Sequence, residues 1–374
     1  MVTVKAVETA KQRKAFLDFP LKLYKDNPNF VPPLYGDEKK IFRKDFVYHD
    51  TCETGYWLAY RDGKVVGRIS AILQKASNEK HHEKRMRFDR FDAIDDQEVA
   101  QALFDAVERF ARDKGMDTVC GPLGFSDLER EGLLIDGFDE LSTFEEQYNA
   151  PYYARLIAAC GYQKEVDWVE SKLYAPDEQT RDKLKKLSHQ LLQKFNLRIG
   201  RAKNVNDFLN RYQDGFFDLL DVAYEDIYGT VPFTDGMKKM MIDNFRLIID
   251  LDHVVCLLDE NDKVVCLGIC FPSIAKAVQP SKGHLTPAAL IRLLDTIKRP
   301  EVIDLGLIAV APEYQNTGII AVIAAALADM LSEGGVDHAE TNLNLEDNLA
   351  IRNMWKRFKA VQHKRRRAYV KTLD

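Results

Sequence analysis

The chain has 374 residues, of which 46% are hydrophobic and 30% charged, and its formal net charge is −5. This length predicts two domains, and the composition is that of a globular protein. The negative charge disfavours nucleic-acid binding, which needs a basic surface, and no apolar run reaches the roughly 20 residues that span a bilayer. The six cysteines form no CxxC pair and no zinc-like spacing with histidine, so neither disulfides nor a metal is expected. We therefore expect a cytoplasmic protein whose partners include neither nucleic acid nor a membrane.

The first clear element is a β-hairpin. Two β-rich runs, Tyr56–Tyr60 and Lys64–Leu73, flank Arg61-Asp62-Gly63, and Asp-Gly between such runs is typical of a hairpin turn. In chain order the first half is predicted to contain a strand at 2–7, a helix at 11–25, this hairpin, a strand at 86–94, a helix at 97–114, a strand at 117–122, a helix at 151–160 and a strand at 166–174.

The same order of elements returns in the second half. Its predicted members are a strand at 197–202, a helix at 205–228, a hairpin at 253–271, a strand at 302–310, a helix at 318–333, a strand at 337–343, a helix at 348–358 and a strand at 366–371. Between the halves, a stripe of leucines predicts a connecting helix. The predicted domains are therefore 1–176 and 197–374, joined by a helix at 177–196.

One turn in the second half has the features of an anion site. The apolar strand Val302–Val310 runs through Gln315-Asn316-Thr317-Gly318-Ile319-Ile320 into an apolar helix. Unpaired backbone N–H groups at a helix N-terminus, together with the helix dipole, suit a pyrophosphate. Gly318 would let a ligand approach the backbone without meeting a Cβ. The alternative is an ordinary strand-to-helix turn.

The segment Val310-Ala311-Pro312-Glu313-Tyr314-Gln315-Asn316-Thr317-Gly318-Ile319 resembles the central motif of the GNAT superfamily of N-acetyltransferases, V-x-P-x-[YFW]-[QR]-x-x-G-x-[GA]. The resemblance implies that the loop amides hold the pyrophosphate of acetyl-CoA or another acyl-CoA, and that the preceding strand bonds to the pantetheine arm. It departs at Ile320, where the family has Gly or Ala. The implied cofactor-binding residues are Ile308, Val310, Gln315, Asn316, Thr317, Gly318, Ile319, Ile320 and Asn348.

The segment that follows the fifth strand extends the resemblance. Residues 348–358 are similar to the family's N-x-x-A-x-x-x-Y helix, with Asn348 matching and Trp355 in the place of the tyrosine. In many members that tyrosine protonates the departing thiolate. An indole N–H is not a practical general acid, so Trp355 is interpreted as packing.

Asp304 is the candidate catalytic residue. It interrupts an apolar strand eleven residues before Gln315, close to where several family members carry a general base. Burial would raise its pKa towards a useful range. The alternative is a structural or solvated carboxylate.

The first half lacks the corresponding loop. Asp95 and Asp96 stand where the glycine-containing turn would be, and they suit an N-cap and first helical turn instead. The first half is therefore interpreted as a degenerate copy that does not bind CoA.

The resemblance implies an α/β fold of two tandem GNAT-like domains with mixed, mostly antiparallel sheets flanked by helices. It also implies an N-acyltransferase that moves an acetyl or other acyl group from acyl-CoA to a small-molecule or peptide amine by direct attack. The departures at Ile320 and Trp355 motivate the alternative of a non-catalytic CoA-binding, ligand-sensing or scaffold protein.

Overall fold

The computed structural model describes residues 1–225 and 227–374. The strands are β1 (Thr3–Ala6), β2 (Cys52–Arg61), β3 (Lys64–Gln74), β4 (Arg85–Ala93), β5 (Thr118–Gly121), β6 (Leu133–Asp136), β7 (Gln163–Tyr174), β8 (Arg198–Ile199), β9 (Val254–Leu258), β10 (Val264–Pro272), β11 (Val302–Val310), β12 (His338–Thr341), β13 (Asn344–Leu345) and β14 (Lys359–Thr372). The α-helices are α1 (Ala10–Leu23), α2 (Tyr35–Glu38), α3 (Lys75–His81), α4 (Gln97–Asp113), α5 (Tyr153–Ala159), α6 (Glu178–Lys194), α7 (Val205–Ala223), α8 (Asp235–Ile248), α9 (Ala275–Val278), α10 (Pro287–Lys298), α11 (Ala321–Ser332) and α12 (Leu349–Trp355).

The chain divides into two compact units. The first comprises Met1–Val169, Ala275–Leu293 and Lys364–Asp374, and the second comprises Glu170–Ile274 and Leu294–His363. Each unit thus takes residues from more than one stretch of the chain, whereas the limits drawn from the sequence are contiguous. The domain limits 1–176 and 197–374 therefore remain a prediction.

In the first unit the strands lie in the order β1–β2–β3–β4–β5, and the C-terminal part of β14 pairs antiparallel with β5. Only β4 and β5 are parallel among these neighbours. The turn between β2 and β3 has positive φ at Asp62 and Gly63, as the hairpin prediction requires. The apolar face of α4 covers β3 and β4, and Phe88 and Phe104 meet edge to face in this core.

In the second unit the order is β8–β9–β10–β11–β12, followed by the 170–174 part of β7, antiparallel to β12. Here β11 and β12 are the parallel pair. The two orders correspond strand for strand, so the predicted α/β class, with mixed and mostly antiparallel strands flanked by helices, is confirmed.

The strand that closes each order comes from an unexpected part of the chain. β14, at the C-terminus, lies beside β5, whereas β7, which precedes the connecting helix, lies beside β12. The repeated order of elements predicted both strands. It assigned β7 to the first half and β14 to the second, because each strand comes at the end of that half in the sequence. Pairing between distant strands depends on contacts that periodicity does not encode.

Several elements differ from the prediction: β6, β13, α2, α3 and α9 were not predicted, and β14 begins at Lys359 rather than at 366. α7 ends at Ala223 rather than at 228, and Asp226, within the predicted range, lies outside the described residues. α8 and α10 were not predicted, although each begins after a threonine whose Oγ1 accepts a backbone N–H: Thr234 from Met237 and Thr286 from Ala289, both at 3.2 Å. Such N-caps, with Pro287 at the first position of α10, are helix-start signals that were present in the sequence.

The core of the second unit fixes α11 against the sheet. Its small residues, among them Ala324 and Ala328, are buried against β11 and β12. On its other side, Nε of Arg181 in α6 donates to Asp329 at 2.6 Å. The helix that follows the loop is therefore held on both sides.

Candidate functional site

The turn between β11 and α11 leaves the sheet at Ala311. The backbone N–H of Ala311 donates to Val265 at 2.9 Å, and a single helical turn, Pro312–Tyr314, follows. Nζ of Lys263, in the turn between β9 and β10, donates to Glu313 at 2.9 Å, and this hydrogen bond lowers the pKa of Glu313. The start of the loop is thereby tied to the neighbouring hairpin.

Three backbone amides of this loop have no protein partner. Within the described chain, no hydrogen bond is made by the N–H groups of Asn316, Gly318 and Ile320. The loop is folded on itself, since Oγ1 of Thr317 donates to the Tyr314 carbonyl at 2.6 Å. Unpaired amides at the N-terminus of α11 are the donors that an anion requires.

Gly318 is placed so that a ligand can approach it. Its φ is +85°, a conformation that side chains with a Cβ rarely adopt, and nothing lies within 4 Å of where a Cβ would be. Asn316, with φ of 60°, also has left-handed backbone. Two left-handed residues so close together turn the chain sharply, and the open space beside Gly318 lies next to the unpaired amides.

The strands before the loop separate. β12 pairs with β11 only as far as Leu305, opposite Thr341. On the other side, Leu305 pairs with Cys270 and Leu307 with Ile269, which leaves Gly306 as the extra residue of a β-bulge. Among the described residues, β11 therefore pairs with no strand other than β10 from Gly306 to Val310.

The two strand residues of the predicted site, Ile308 and Val310, lie in this separated half. The carbonyl of Ile308 accepts a hydrogen bond from the hydroxyl of Tyr224 at 3.1 Å. Tyr224 follows α7, so that helix reaches the edge of β11 that faces away from β10. Sequence reasoning missed Tyr224 because the contact joins residues 84 positions apart.

A small apolar pocket of about 30 Å³, open to solvent, lies beside the bulge. Its walls come from β10 and β11 on one side and from α11 on the other. The lining side chains are mostly aliphatic, and they include Leu305, Ile308, Ile323, Leu327, Met330 and Trp355. The sequence did not reveal this pocket, since its lining residues individually resemble ordinary core.

The helix residues of the predicted site have local structural partners. Oδ1 of Asn348 accepts the N–H of Ile351 at 3.3 Å and caps α12. Nε1 of Trp355 donates to Oδ1 of Asn344 at 2.7 Å, and the indole is buried. Both side chains thus have a clear structural role.

Asp304 lies on the opposite face of β11 from the helix core. Its neighbours Ile303 and Leu305 pack towards α11, and Asp304, 2% exposed, points the other way. Asp304 on β11 is in register with Glu340 on the parallel strand β12, one position before these two strands separate. The side chains of in-register residues project from the same face of the sheet.

Further ionisable side chains gather around Glu340. Oxygens of Glu170 and Glu340 and a nitrogen of His363 lie within 4.8 Å of one another, and all three residues are largely removed from solvent. These donor types are ones that a divalent cation uses. Nε2 of His338 is 3.6 Å from Oε1 of Glu340. Burial opposes protonation of His338, but the carboxylates of Glu340 and Asp337 outweigh it and raise its pKa.

Sequence reasoning missed this polar cluster. The available signal was the alternation His338-Ala339-Glu340 on a short strand, which places two ionisable groups on one face. Lys172 is in register with Glu340 on the other side, so the face also carries a cation. The strands that supply Glu170 and His363 are far apart in sequence, and their proximity is a product of the fold.

In the first unit the equivalent turn is closed by side chains. Oδ1 of Asp96 accepts the N–H of Val99 at 3.2 Å, and Oδ2 accepts from Arg61 at 2.6 Å. Asp96 is the N-cap of α4, as predicted. A carboxylate already occupies the position where an anion would meet the helix N-terminus.

A solved structure shares this fold. A tandem GNAT protein from the clavulanic acid biosynthesis pathway superposes with a TM-score of 0.57, covering 100% of this chain and 98% of that chain at 12% identity. The tandem GNAT fold predicted from the loop motif is therefore confirmed. No model of a protein family matches the sequence.

The chain belongs to the family of Protein YghO from Escherichia coli (strain K12), with which it is 30% identical over 367 residues, 96% of this chain and 93% of the relative. It is also similar to the bacterial ceramide synthase of Caulobacter vibrioides (strain NA1000 / CB15N), at 25% identity over 384 residues, 100% of this chain and 98% of that protein. Among the described residues, no helix combines the length and the apolar character needed to cross a membrane.

Proposed function

We propose that the second unit binds an acyl-CoA and transfers its acyl group to an amine. The observation that carries the proposal is the set of three unpaired amides at Asn316, Gly318 and Ile320 beside the open space at Gly318. These amides fit the pyrophosphate because they are N–H donors at a helix N-terminus. The amide of Ile320 is present whatever its side chain, so the departure from Gly or Ala does not remove a donor.

The separated edge of β11 would bind the pantetheine arm. This edge lies between the amide loop and the bulge at Gly306, which are the two ends of the proposed path, and the arm would have to replace the hydrogen bond from Tyr224 to the Ile308 carbonyl. Groups of an amide-containing arm can bond to this edge as a further strand would. Gln315, Thr317 and Ile319 belong to the loop and shape it, whereas Asn348 would act by holding the start of α12.

The reaction is a direct transfer. The neutral amine nitrogen attacks the thioester carbonyl carbon, the C–N bond forms, and the C–S bond breaks to release CoA as the thiol. The amine loses one proton, and the leaving thiolate gains one. We propose that Asp304, with Glu340 in register beside it, accepts the proton of the amine.

The apolar pocket supports an acyl group longer than acetyl. Its aliphatic walls lie beside the bulge, where the proposed path of the arm ends. The similarity to a bacterial ceramide synthase supports the same substrate class, because a ceramide is the amide of a fatty acid and a long-chain amino alcohol. We propose a fatty acyl-CoA as donor and a long-chain amino alcohol such as sphinganine as the acceptor to test first.

Calorimetric titration with acetyl-CoA and palmitoyl-CoA tests the cofactor site. Gly318→Glu places a carboxylate among the loop amides and should abolish binding of both. Gly334→Glu is the matched control, because Gly334 also has positive φ, +88°, and open space around it. The absence of binding to the unmodified protein at millimolar ligand would overturn the proposal.

A non-catalytic CoA-binding protein is the second candidate. Trp355, bonded to Asn344, stands where a tyrosine acid would be expected from the resemblance. If both acyl-CoAs bind but no amide forms with sphinganine or with a panel of short amines and peptides, this second function is the correct one.

A further inference from the structure

One helix carries an unusual concentration of exposed apolar side chains. Among the described residues, nine large apolar side chains are exposed, and four of them lie on α10 or the turn before it. They are Leu285, Leu290, Ile291 and Leu294, exposed by 54%, 46%, 70% and 68%. We call these four residues the α10 patch. Scattered exposed apolar residues are normal, but a cluster on one segment indicates a binding surface.

The spacing makes the α10 patch a continuous stripe. Leu290 and Leu294 are four residues apart, and Ile291 and Leu294 are three apart, so all three project from one side of the helix. Ala289 is the fully buried residue of α10 among those described, and it lies on another side. The helix is therefore attached by one face and presents apolar side chains on another.

Basic residues outnumber acidic ones in the segment that carries the patch. Lys282 precedes the helix, Arg292 and Lys298 lie within it and Arg299 follows it, against a single acidic residue, Asp295. This segment is thus positive in a chain whose net charge is −5. An exposed apolar stripe with a basic border is the pattern of a helix that lies in the surface of an anionic bilayer.

We propose that α10 docks this protein on the surface of an anionic lipid bilayer, with the side chains of the α10 patch inserted among the lipids. This goes against the expectation of a protein without a membrane partner, because that expectation considered spanning segments alone. The inference does not rest on the proposed acyl transfer. A bilayer is favoured over a protein partner because basic residues outnumber the one acidic residue, Asp295, in the segment 282–299, and because a lipid surface needs no matching shape.

Sedimentation with vesicles tests the proposal on the full chain. Vesicles of phosphatidylcholine with phosphatidylglycerol should bind the protein, and vesicles of phosphatidylcholine alone should bind it about tenfold more weakly. The double variant Ile291→Asp/Leu294→Asp should lose about tenfold or more in binding to the anionic vesicles. The matched control is Val222→Asp/Leu349→Asp, which charges two apolar side chains elsewhere, exposed by 51% and 64%; it should bind as the unmodified protein does.

Sedimentation velocity of the same proteins without lipid measures self-association, which is the main alternative to membrane docking. Self-association that Ile291→Asp/Leu294→Asp abolishes, together with no binding to vesicles, would show that the patch joins two copies of the chain and would overturn the proposal. Equal loss of vesicle binding in the control variant would overturn it as well. Acyl-CoA titration of Ile291→Asp/Leu294→Asp should be unchanged, which confirms folding and separates this proposal from that of the cofactor site.

Discussion

The indole Nε1 of Trp355 donates a hydrogen bond of 2.7 Å to Oδ1 of Asn344, between α12 and the short strand β13. Both residues follow β12, on the side where β11 and β12 separate. A buried polar group with a partner stabilises the fold, and losing the partner leaves the other group unsatisfied. Trp355 is thus a structural residue that also lines the apolar pocket.

Replacing this indole should affect stability more than proton transfer. Trp355→Phe removes the donor to Asn344 and should lower the free energy of unfolding by about 1–3 kcal/mol, measured with urea. The pH profile of any acyl transfer should keep its shape, because no acid is lost. Trp57→Phe, in the first unit, is the control; a pH profile that changes only in Trp355→Phe would contradict this role.

Asp304→Asn keeps the size of the side chain but removes its ability to accept a proton. If Asp304 is the base, kcat with sphinganine should fall by about 10²-fold or more, while the Kd for acyl-CoA from calorimetry stays within error. Glu333→Gln, at the exposed end of α11, is the matched control. An unchanged kcat in Asp304→Asn would show that another group accepts the proton of the amine, and Glu340→Gln is then the next variant to measure.

The apolar pocket should set the preferred acyl length. Ala326→Phe projects a ring from α11 into the pocket and should shift the kcat/KM preference towards shorter chains by about tenfold, since each lost methylene contact is worth about 0.8 kcal/mol. Ala326→Ser adds little volume and serves as control. A series of acyl-CoAs from acetyl to palmitoyl gives the measurement, and an unaltered order of preference would exclude the pocket as the acyl site.

The first unit should lose stability in acid through Glu38. Burial alone would raise the pKa of Glu38, but the guanidinium of Arg90, bonded to both its oxygens at 3.1 Å, outweighs burial and lowers the pKa from 4.5 to about 2. Because the pKa of Glu38 is lower in the folded state than in the unfolded state, the ionised carboxylate stabilises the fold above pH 4.5. This contribution to the free energy of unfolding is lost as the pH falls towards 2.

Glu38→Gln should therefore lower the free energy of unfolding at pH 7 by about 1–3 kcal/mol, and the difference from the unmodified protein should shrink at pH 3. Urea unfolding at both pH values gives the measurement, with the exposed pair variant Asp45→Asn as control. An equal difference at pH 7 and pH 3 would show that the carboxylate charge is not the cause.

The sequence by itself was sufficient for features that depend on neighbours along the chain. The hairpin turn at Asp62-Gly63 depends on φ values that these residues favour. β11 has the bounds that its apolar run predicted, and α6, at Glu178–Lys194, lies within the range that its leucine stripe predicted. The amide loop belongs to the same group, because a strand, a turn with one glycine and a helix are consecutive.

Tertiary structure decided the features that join distant segments. β14 beside β5 and β7 beside β12 are pairings that no local pattern specifies, because any strand of suitable length can satisfy a free edge. The proximity of Glu170, Glu340 and His363 follows from such placement, as does the pocket between α11 and the sheet. Local preference determined which elements form, and long-range packing determined which side chains meet.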